Sequence, residues 1–310
     1  MNILFITRDF SSRIEKSSLY LLEELKKHAN VVTDYDGGNI RDILKRTNFR
    51  PDFILLNDLK PDYSPFVYGL NDFPVPTGAI MHDLMYRPHY RKRYYREQNI
   101  RHIFTIYRDA AYALMPELKD RLIWLPHHVP THIFKDYKHK KTIPVLMMGA
   151  IFPQLYPART KFFELLKDYS GFVYHPHPGY RDIKQKVRVV YAGKKYAEEI
   201  NRARIFVTCD SKDHLPVLKY FEVPACRTLL LATTSKELED LGFIDGKTFV
   251  SVNEHNLIEK IHYYLRNGKE RKKIADAGWR MVRQRHSTAK RTKELLKYIR
   301  DAVVGKPVGK

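Results

Sequence analysis

Short apolar runs alternate with amphipathic helical segments along this whole sequence, and few folds satisfy that pattern. The first series of runs covers residues 3–7, 31–33, 53–56, 78–81, 103–106 and 123–125. Between the first two, residues 15–28 place Leu19, Leu22 and Leu25 on one face of a helix. Strand–helix–strand alternation argues for a parallel sheet wrapped by helices. The pattern breaks at 126–144, which is rich in Pro, His and Lys, lacks an apolar period and reads as a domain linker.

The alternation then restarts, with apolar runs at 145–148, 172–174, 187–191, 205–208, 229–233 and 249–252. Helices are expected between them at 157–169, 195–203 and 256–267, then two more at 269–284 and 287–303, before a frayed tail at 305–310. The fold class implied is α/β: two Rossmann-like, doubly wound parallel-sheet domains facing a cleft. Ligands of such sheets bind at the carboxyl edges of the strands. No internal repeat or low-complexity tract accompanies the pattern.

A chain of 310 residues suits two domains, and 44% hydrophobic residues is enough for real cores, which excludes a disordered protein. Its two cysteines, Cys209 and Cys226, lie in apolar or strand-like contexts, so a reducing compartment without disulfides is expected. No signal peptide is read at the start, and no apolar run approaches the roughly 20 residues of a membrane span. The expectation is a soluble, cytoplasmic protein. A net charge of +20 favours anionic partners: nucleotide sugars, nucleic acid, acidic glycans or an anionic lipid surface.

The stretch Lys219-Tyr220-Phe221-Glu222-Val223-Pro224-Ala225-Cys226 sets a carboxylate at the start of a short apolar helix, where packing gives it little reason to be. A carboxylate so placed can accept two charge-assisted hydrogen bonds from vicinal hydroxyls. His82 and Asp83 follow an apolar strand; a neutral imidazole there can bond a hydroxyl with Asp83 orienting it, or the pair caps a turn. His175 and His177 have a spacing that suggests a metal, but no Cys or carboxylate cluster accompanies them, so no metal is expected. Asp34-Tyr35-Asp36 reads as a turn before Gly37. Residues 86–96, including Tyr86, Arg87, Arg91 and Arg93, interleave cations with aromatics. Aromatic faces stack on sugars or bases and cations suit phosphates, although a solvated helix with its Tyr packed inward accounts for the run too.

Further motifs occur in the second half. They are Val145-Leu146-Met147-Met148-Gly149, Tyr156-Pro157-Ala158-Arg159, Tyr263-Tyr264-Leu265-Arg266-Asn267, Ile274-Ala275-Asp276-Ala277-Gly278 and Arg285-His286-Ser287. With the Glu222 stretch and Leu125-Pro126-His127-His128-Val129-Pro130, they resemble the GT-B glycosyltransferases of the spore-maturation CgeB-like group, related to the large retaining family 4.

The resemblance implies an acceptor-side domain at about 1–135 and a nucleotide-sugar-binding domain at about 140–285. A closing helix at 287–303 would pack back on the first. It implies that Glu222 holds the nucleotide ribose, with Leu215 and Tyr220 nearby, and that Lys219, Arg159 and helix amides hold the diphosphate. Gly149 would let backbone approach phosphate, or simply make a tight turn. His177 would lie in a loop beside the nucleobase or diphosphate, and His82 would face the donor sugar. His214 stands where the family 4 enzymes carry a second Glu, and it can bond a sugar hydroxyl. Residues 86–96 would face an anionic acceptor: a glycan, a glycolipid or DNA, with peripheral membrane contact compatible.

The activity implied is transfer of a sugar from a nucleotide-sugar co-substrate to an acceptor hydroxyl, with retention and without a metal or other cofactor. Three alternatives stand beside it: an inverting enzyme with Asp83 or Asp9 as base, a transferase acting on modified DNA bases, and a non-catalytic binding protein on the same scaffold.

Overall fold

The computed structural model describes residues 1–179 and 191–306. The expected strand at 187–191 falls outside them except for its last residue, as does the end of the expected tail. By its internal contacts the chain divides into two compact units. Unit 1 holds Met1–Ser11, Lys16–Pro126 and the chain from Ala289 onward; unit 2 holds Ser12–Glu15 and His127–Thr288.

Unit 1 is a six-stranded sheet of β1 (Asn2–Ile6), β2 (Asn30–Asp34), β3 (Phe53–Leu56), β4 (Thr77–Met81), β5 (His102–Thr105) and β6 (Leu122–Trp124), in the order β2-β1-β3-β4-β5-β6. Every pairing is parallel. Four helices precede the end of the sheet: α1 (Ser17–Leu25), α2 (Ile40–Thr47), α3 (Pro88–Glu97) and α4 (Arg108–Leu114). All residues of β3 and β4 are buried, which is why their sequences, Thr77 apart, are apolar runs and not alternating ones. On one face, Ile3, Phe5, Phe53, Leu55, Ile80 and Phe104 pack with Leu21, Leu22 and Leu25 of α1. The buried stripe of α1 is Ser18, Leu21, Leu22 and Leu25, so of the expected face Leu22 and Leu25 are buried and Leu19 is half-buried at its margin.

Unit 2 has β7 (Ile143–Met148), β8 (Phe172–His175), β9 (Ala203–Val207), β10 (Leu229–Ala232) and β11 (Val250–Ser251). Among the described residues they form a five-stranded parallel sheet in the order β8-β7-β9-β10-β11. Around it lie α5 (Pro157–Leu166), α6 (Gly193–Arg202), α7 (Lys219–Ala225), α8 (Lys236–Leu241), α9 (Leu257–Arg266) and α10 (Gly268–Arg285). The last helix, α11 (Thr288–Val303), carries Leu295, Leu296 and Ile299 into the core of unit 1.

The expected linker at 126–144 is not a loose tether. The Val129 amide donates to the His286 carbonyl (2.9 Å), and the Thr288 amide donates to the Val129 carbonyl (3.0 Å). Asn201 accepts from the Tyr137 amide and donates to the Lys135 carbonyl, and Phe134 meets Tyr196 edge-on. Proline and charge removed the apolar period from this segment without removing its packing.

Both sheets have a point where the chain reverses its winding, between β1 and β3 in unit 1 and between β7 and β9 in unit 2. Ligand crevices of open parallel sheets form there, beyond the strand carboxyl ends.

Candidate functional site

Arg159, in the first turn of α5, bridges the switch point of unit 2. Its side chain is only 2% exposed. One terminal nitrogen donates to the Ala150 carbonyl after β7 (3.1 Å), the other to Thr208 Oγ1 (3.2 Å) and the Cys209 carbonyl (3.3 Å) after β9. The guanidinium lies 4.1 Å over the Tyr156 ring, while its buried Nε has no hydrogen-bond partner. All these partners are neutral. A second cation, Lys219, enters from the start of α7. A Cβ on Gly149 would lie 3.3 Å from Lys219 Nζ and 3.4 Å from the Arg159 terminal nitrogen, so the two cations converge on that glycine. Among the described residues neither has a carboxylate within ion-pair distance.

These side chains line a cavity of about 150 Å³ with Ile14, Glu15, His177, Val217 and Leu218, all within unit 2. Burial, and then Arg159, push the Lys219 pKa down to about 8. Glu222, one turn further along α7, is pushed up to about 7 by burial, against the pull of Lys219, while Glu15 adds to the rise. The buried Tyr196 hydroxyl adjoins Glu222, and the Tyr196 pKa is raised, first by burial and then by that carboxylate. His177 is driven down to about 4 by burial, Lys219 and Arg159, and therefore stays neutral at ordinary pH. Two cations and a neutral imidazole, set against the Glu15 carboxylate at the rim and Glu222 one turn behind Lys219, give the cavity groups suited to an anion.

Four further residues expected near the nucleotide have the following surroundings. The Gly149 amide is spent on the His175 carbonyl (3.0 Å), so it offers a phosphate nothing directly. The value of Gly149 is its missing Cβ and a φ of +130°, which leave room for Lys219 and Arg159. Tyr220 is fully buried and its hydroxyl donates to the Thr233 carbonyl (2.7 Å), so it is a core residue. His214 has a left-handed backbone and a side chain 74% exposed, held at Asp210 Oδ2 by its Nδ1 (3.0 Å). Leu215 exchanges hydrogen bonds with Ser211 through its backbone. Neither His214 nor Leu215 lines the Arg159–Lys219 cavity. Glu15, Tyr196 and Thr208 carried no sequence signal, because Glu15 and Thr208 flank a helix and a strand and Tyr196 lies in a helix with nothing in sequence to mark them.

In unit 1, His82 follows β4 at the carboxyl edge of the sheet, one strand beyond the switch point. Its Nε2 donates to Asn57 Oδ1 (2.7 Å), its ring stacks on Tyr63 at 4.5 Å, and its amide donates to Asp58 (2.8 Å). Burial holds the His82 pKa down at about 4. The imidazole is thus neutral with Nδ1 as the acceptor face. The Asp83 carboxylate is ion-paired to Lys60 (2.8 Å). Asp9, the other candidate base, accepts from the amide and hydroxyl of Ser11, and those bonds lower its pKa, away from the range of a base near neutrality.

Arg91 is a correction to the expected acceptor surface. It is completely buried, paired with the equally buried Asp58, and bonded to the Tyr95 hydroxyl and the Asp83 carbonyl. Tyr94 and Tyr95 are buried beside it. Arg87 and Arg93 do remain exposed and lie over the rings of Tyr86 (5.6 Å) and Tyr90 (5.6 Å) respectively. Asp34 is also accounted for, since Arg46 clasps its carboxylate and it accepts from the Gly37 amide. Among the described residues no group of three or more His, Cys, Asp or Glu side chains is placed to hold a metal ion. No helix among them is long and apolar enough to cross a membrane.

Two Rossmann-like parallel-sheet domains are the halves of a GT-B fold, and the solved structures this chain is similar to share it. Residues 148–297 match the family model described as Glycosyl transferase-like, a span that contains every residue of the cavity except Ile14 and Glu15. Whole-chain structural likeness agrees. A glycosyltransferase of Rickettsia africae is 13% identical with a TM-score of 0.65, over 97% of this chain and 98% of that one. HepE of Anabaena, solved with UDP-glucose, is 9% identical with a TM-score of 0.66, over 97% and 100%. A sucrose-phosphate synthase of Thermosynechococcus elongatus is 11% identical with a TM-score of 0.63, over 99% and 100%. No curated protein matches the sequence.

Proposed function

We propose that this protein transfers a sugar from a nucleotide diphosphate sugar to an acceptor hydroxyl, in the manner of the CgeB-like enzymes its motifs resemble. The observation that carries this reading is the pair of cations, Arg159 and Lys219, converging on Gly149 in one small cavity. Their role is to receive the leaving diphosphate. As the bond between the sugar's anomeric carbon and the diphosphate breaks, the electron pair stays on the phosphate oxygen, and two fixed cations stabilise it without reorganising. They supply the charge that a divalent ion supplies elsewhere, so we propose a metal-independent reaction. Glu222, ionised, accepts from the ribose hydroxyls.

We assign His82, held neutral with Nδ1 free to accept, to a hydroxyl of the donor sugar. The acceptor hydroxyl attacks on the face of the departing diphosphate, whose oxygen takes the proton, which gives retention. Asp9 and Asp83 are both committed to neighbours, and this disfavours the inverting alternative.

Because HepE was solved with UDP and with UDP-glucose, UDP is the nucleotide to test first. A ligand that binds only the folded state raises its melting temperature. UDP or a UDP sugar should do so for the wild type, and Lys219→Met should shrink the shift and slow the release of UDP during turnover. If millimolar UDP, GDP, TDP and ADP sugars all left the wild-type melting temperature unmoved, the reading would fail.

A further inference from the structure

A second cavity, of about 350 Å³, lies at the amino-terminal edge of the unit 2 sheet. It is bounded by the segment before β7 (Lys138, Lys141), the start of β9 (Arg204), the turn into β10 (Arg227) and the first turn of α10 (Arg271, Lys272). The Arg159–Lys219 cavity sits beyond the opposite, carboxyl edge. The six residues of β7, at roughly 3.3 Å each, put about 20 Å between the two.

The charges here are unbalanced. The cavity's two carboxylates, Asp136 and Asp276, are both spent on Arg227, at 3.2 and 2.5 Å. Among the described residues the other five cations have no carboxylate within ion-pair distance, and Asp136 and Asp276 reach Lys141 and Lys272 only at longer range. Lys141 donates only to Thr228 Oγ1 (2.7 Å) and the Arg227 carbonyl (3.4 Å), and burial pushes its pKa down to about 8. Arg271 donates to the carbonyls of Tyr264 and Leu265, which end α9, and is itself lowered by burial and by Arg204. Like charges crowded into one concavity raise its free energy unless a counter-charge occupies it. The first-turn amides of α10, which no side chain caps, point to the same sign of ligand.

We propose that this cavity is a second binding site, for an anion carrying one or two phosphoryl groups. Its concave shape and volume suit a free phosphorylated small molecule better than a flat membrane surface, and the site does not depend on what the Arg159–Lys219 cavity binds.

Hydrogen–deuterium exchange with inorganic pyrophosphate tests it, because the method reports where the probe binds. Protection is expected at 138–141 and in the first turn of α10. Arg204→Glu with Lys272→Glu changes two exposed side chains, so the melting temperature should hold while this protection is lost and the affinity of this site falls at least about tenfold. Lys141→Met should weaken the same protection. Absence of protection there at millimolar pyrophosphate, or protection unchanged in the double variant, overturns the proposal. Sedimentation with phosphatidylglycerol vesicles separates the sources of the phosphoryl group. Vesicle binding that the double variant abolishes assigns the site to a lipid headgroup; vesicle binding indifferent to the variant leaves it to a soluble anion.

Discussion

Lys219 and Glu222 stand one turn apart on α7, and burial moves both toward neutrality, Lys219 down to about 8 and Glu222 up to about 7. For the free protein the signs are opposite. The raised Glu222 pKa means stability falls as pH rises from its ordinary 4.5 through about 7, since the native state holds its proton longer. The lowered Lys219 pKa means stability recovers as pH rises from about 8 toward 10.5. If nucleotide binding uses both charges, as proposed, UDP affinity should peak between about 7 and about 8. Calorimetric titration across pH should show a bell, with Glu222→Gln removing the acid limb and Lys219→Met the alkaline one. His177 cannot supply the acid limb, being held near 4.

A second residue-scale prediction concerns Asp58. It is buried at a φ of +82°, and it accepts from the amides of His82 and Asp83 and from Arg91. Burial alone would raise its pKa; Arg91 and the other donors outweigh that and hold it below the usual range. Asp58→Ala leaves the Arg91 charge buried and alone, so it should destabilise by about 3–5 kcal/mol in denaturant melts. Asp58→Ala with Arg91→Met should recover much of the loss.

At the scale of elements, the site depends on how closely α10 approaches α7. Gly278 of α10 has no room for a methyl group: a Cβ there would sit 2.3 Å from the Thr248 carbonyl oxygen and 3.4 Å from Pro224. In an exposed helix Gly→Ala stabilises by about 1 kcal/mol. Here Gly278→Ala should reverse the sign, destabilising by about 1–3 kcal/mol through overpacking. It should also weaken UDP binding, because α7 carries Lys219 and Glu222.

The elements were the most legible part of the sequence. Their apolar runs are set by burial on both faces of a parallel sheet, which is a local composition signal. The convergence of Gly149, Arg159, His177 and Lys219 was legible through motifs, each at a strand end or a helix start. Tyr220 and Arg91 were not. A Tyr next to a site residue and an Arg among exposed cations look alike whether they face ligand or core. What decides is a partner far along the chain: Thr233 for the first and Asp58 for the second. Glu15 was invisible for the same reason. It reads as the start of α1, yet it belongs to unit 2.

At the scale of the molecule, α11 ties the last residues to the first strand. It begins at Thr288, the last residue of unit 2, and its Leu295, Leu296 and Ile299 are fully buried against Ile3, Phe5 and Phe104 of unit 1. The core of unit 1 is therefore completed by residues made after the whole of unit 2. Each Leu→Ala change in such a core removes about 2–5 kcal/mol. Leu295→Ala with Leu296→Ala should consequently lower the stability of unit 1 and leave unit 2 intact. Since every residue lining the Arg159–Lys219 cavity lies in unit 2, the variant should melt in two calorimetric steps, the earlier one from unit 1. UDP should raise only the later step. A single transition that moves down as a whole, with UDP raising all of it, would mean instead that the two units unfold as one.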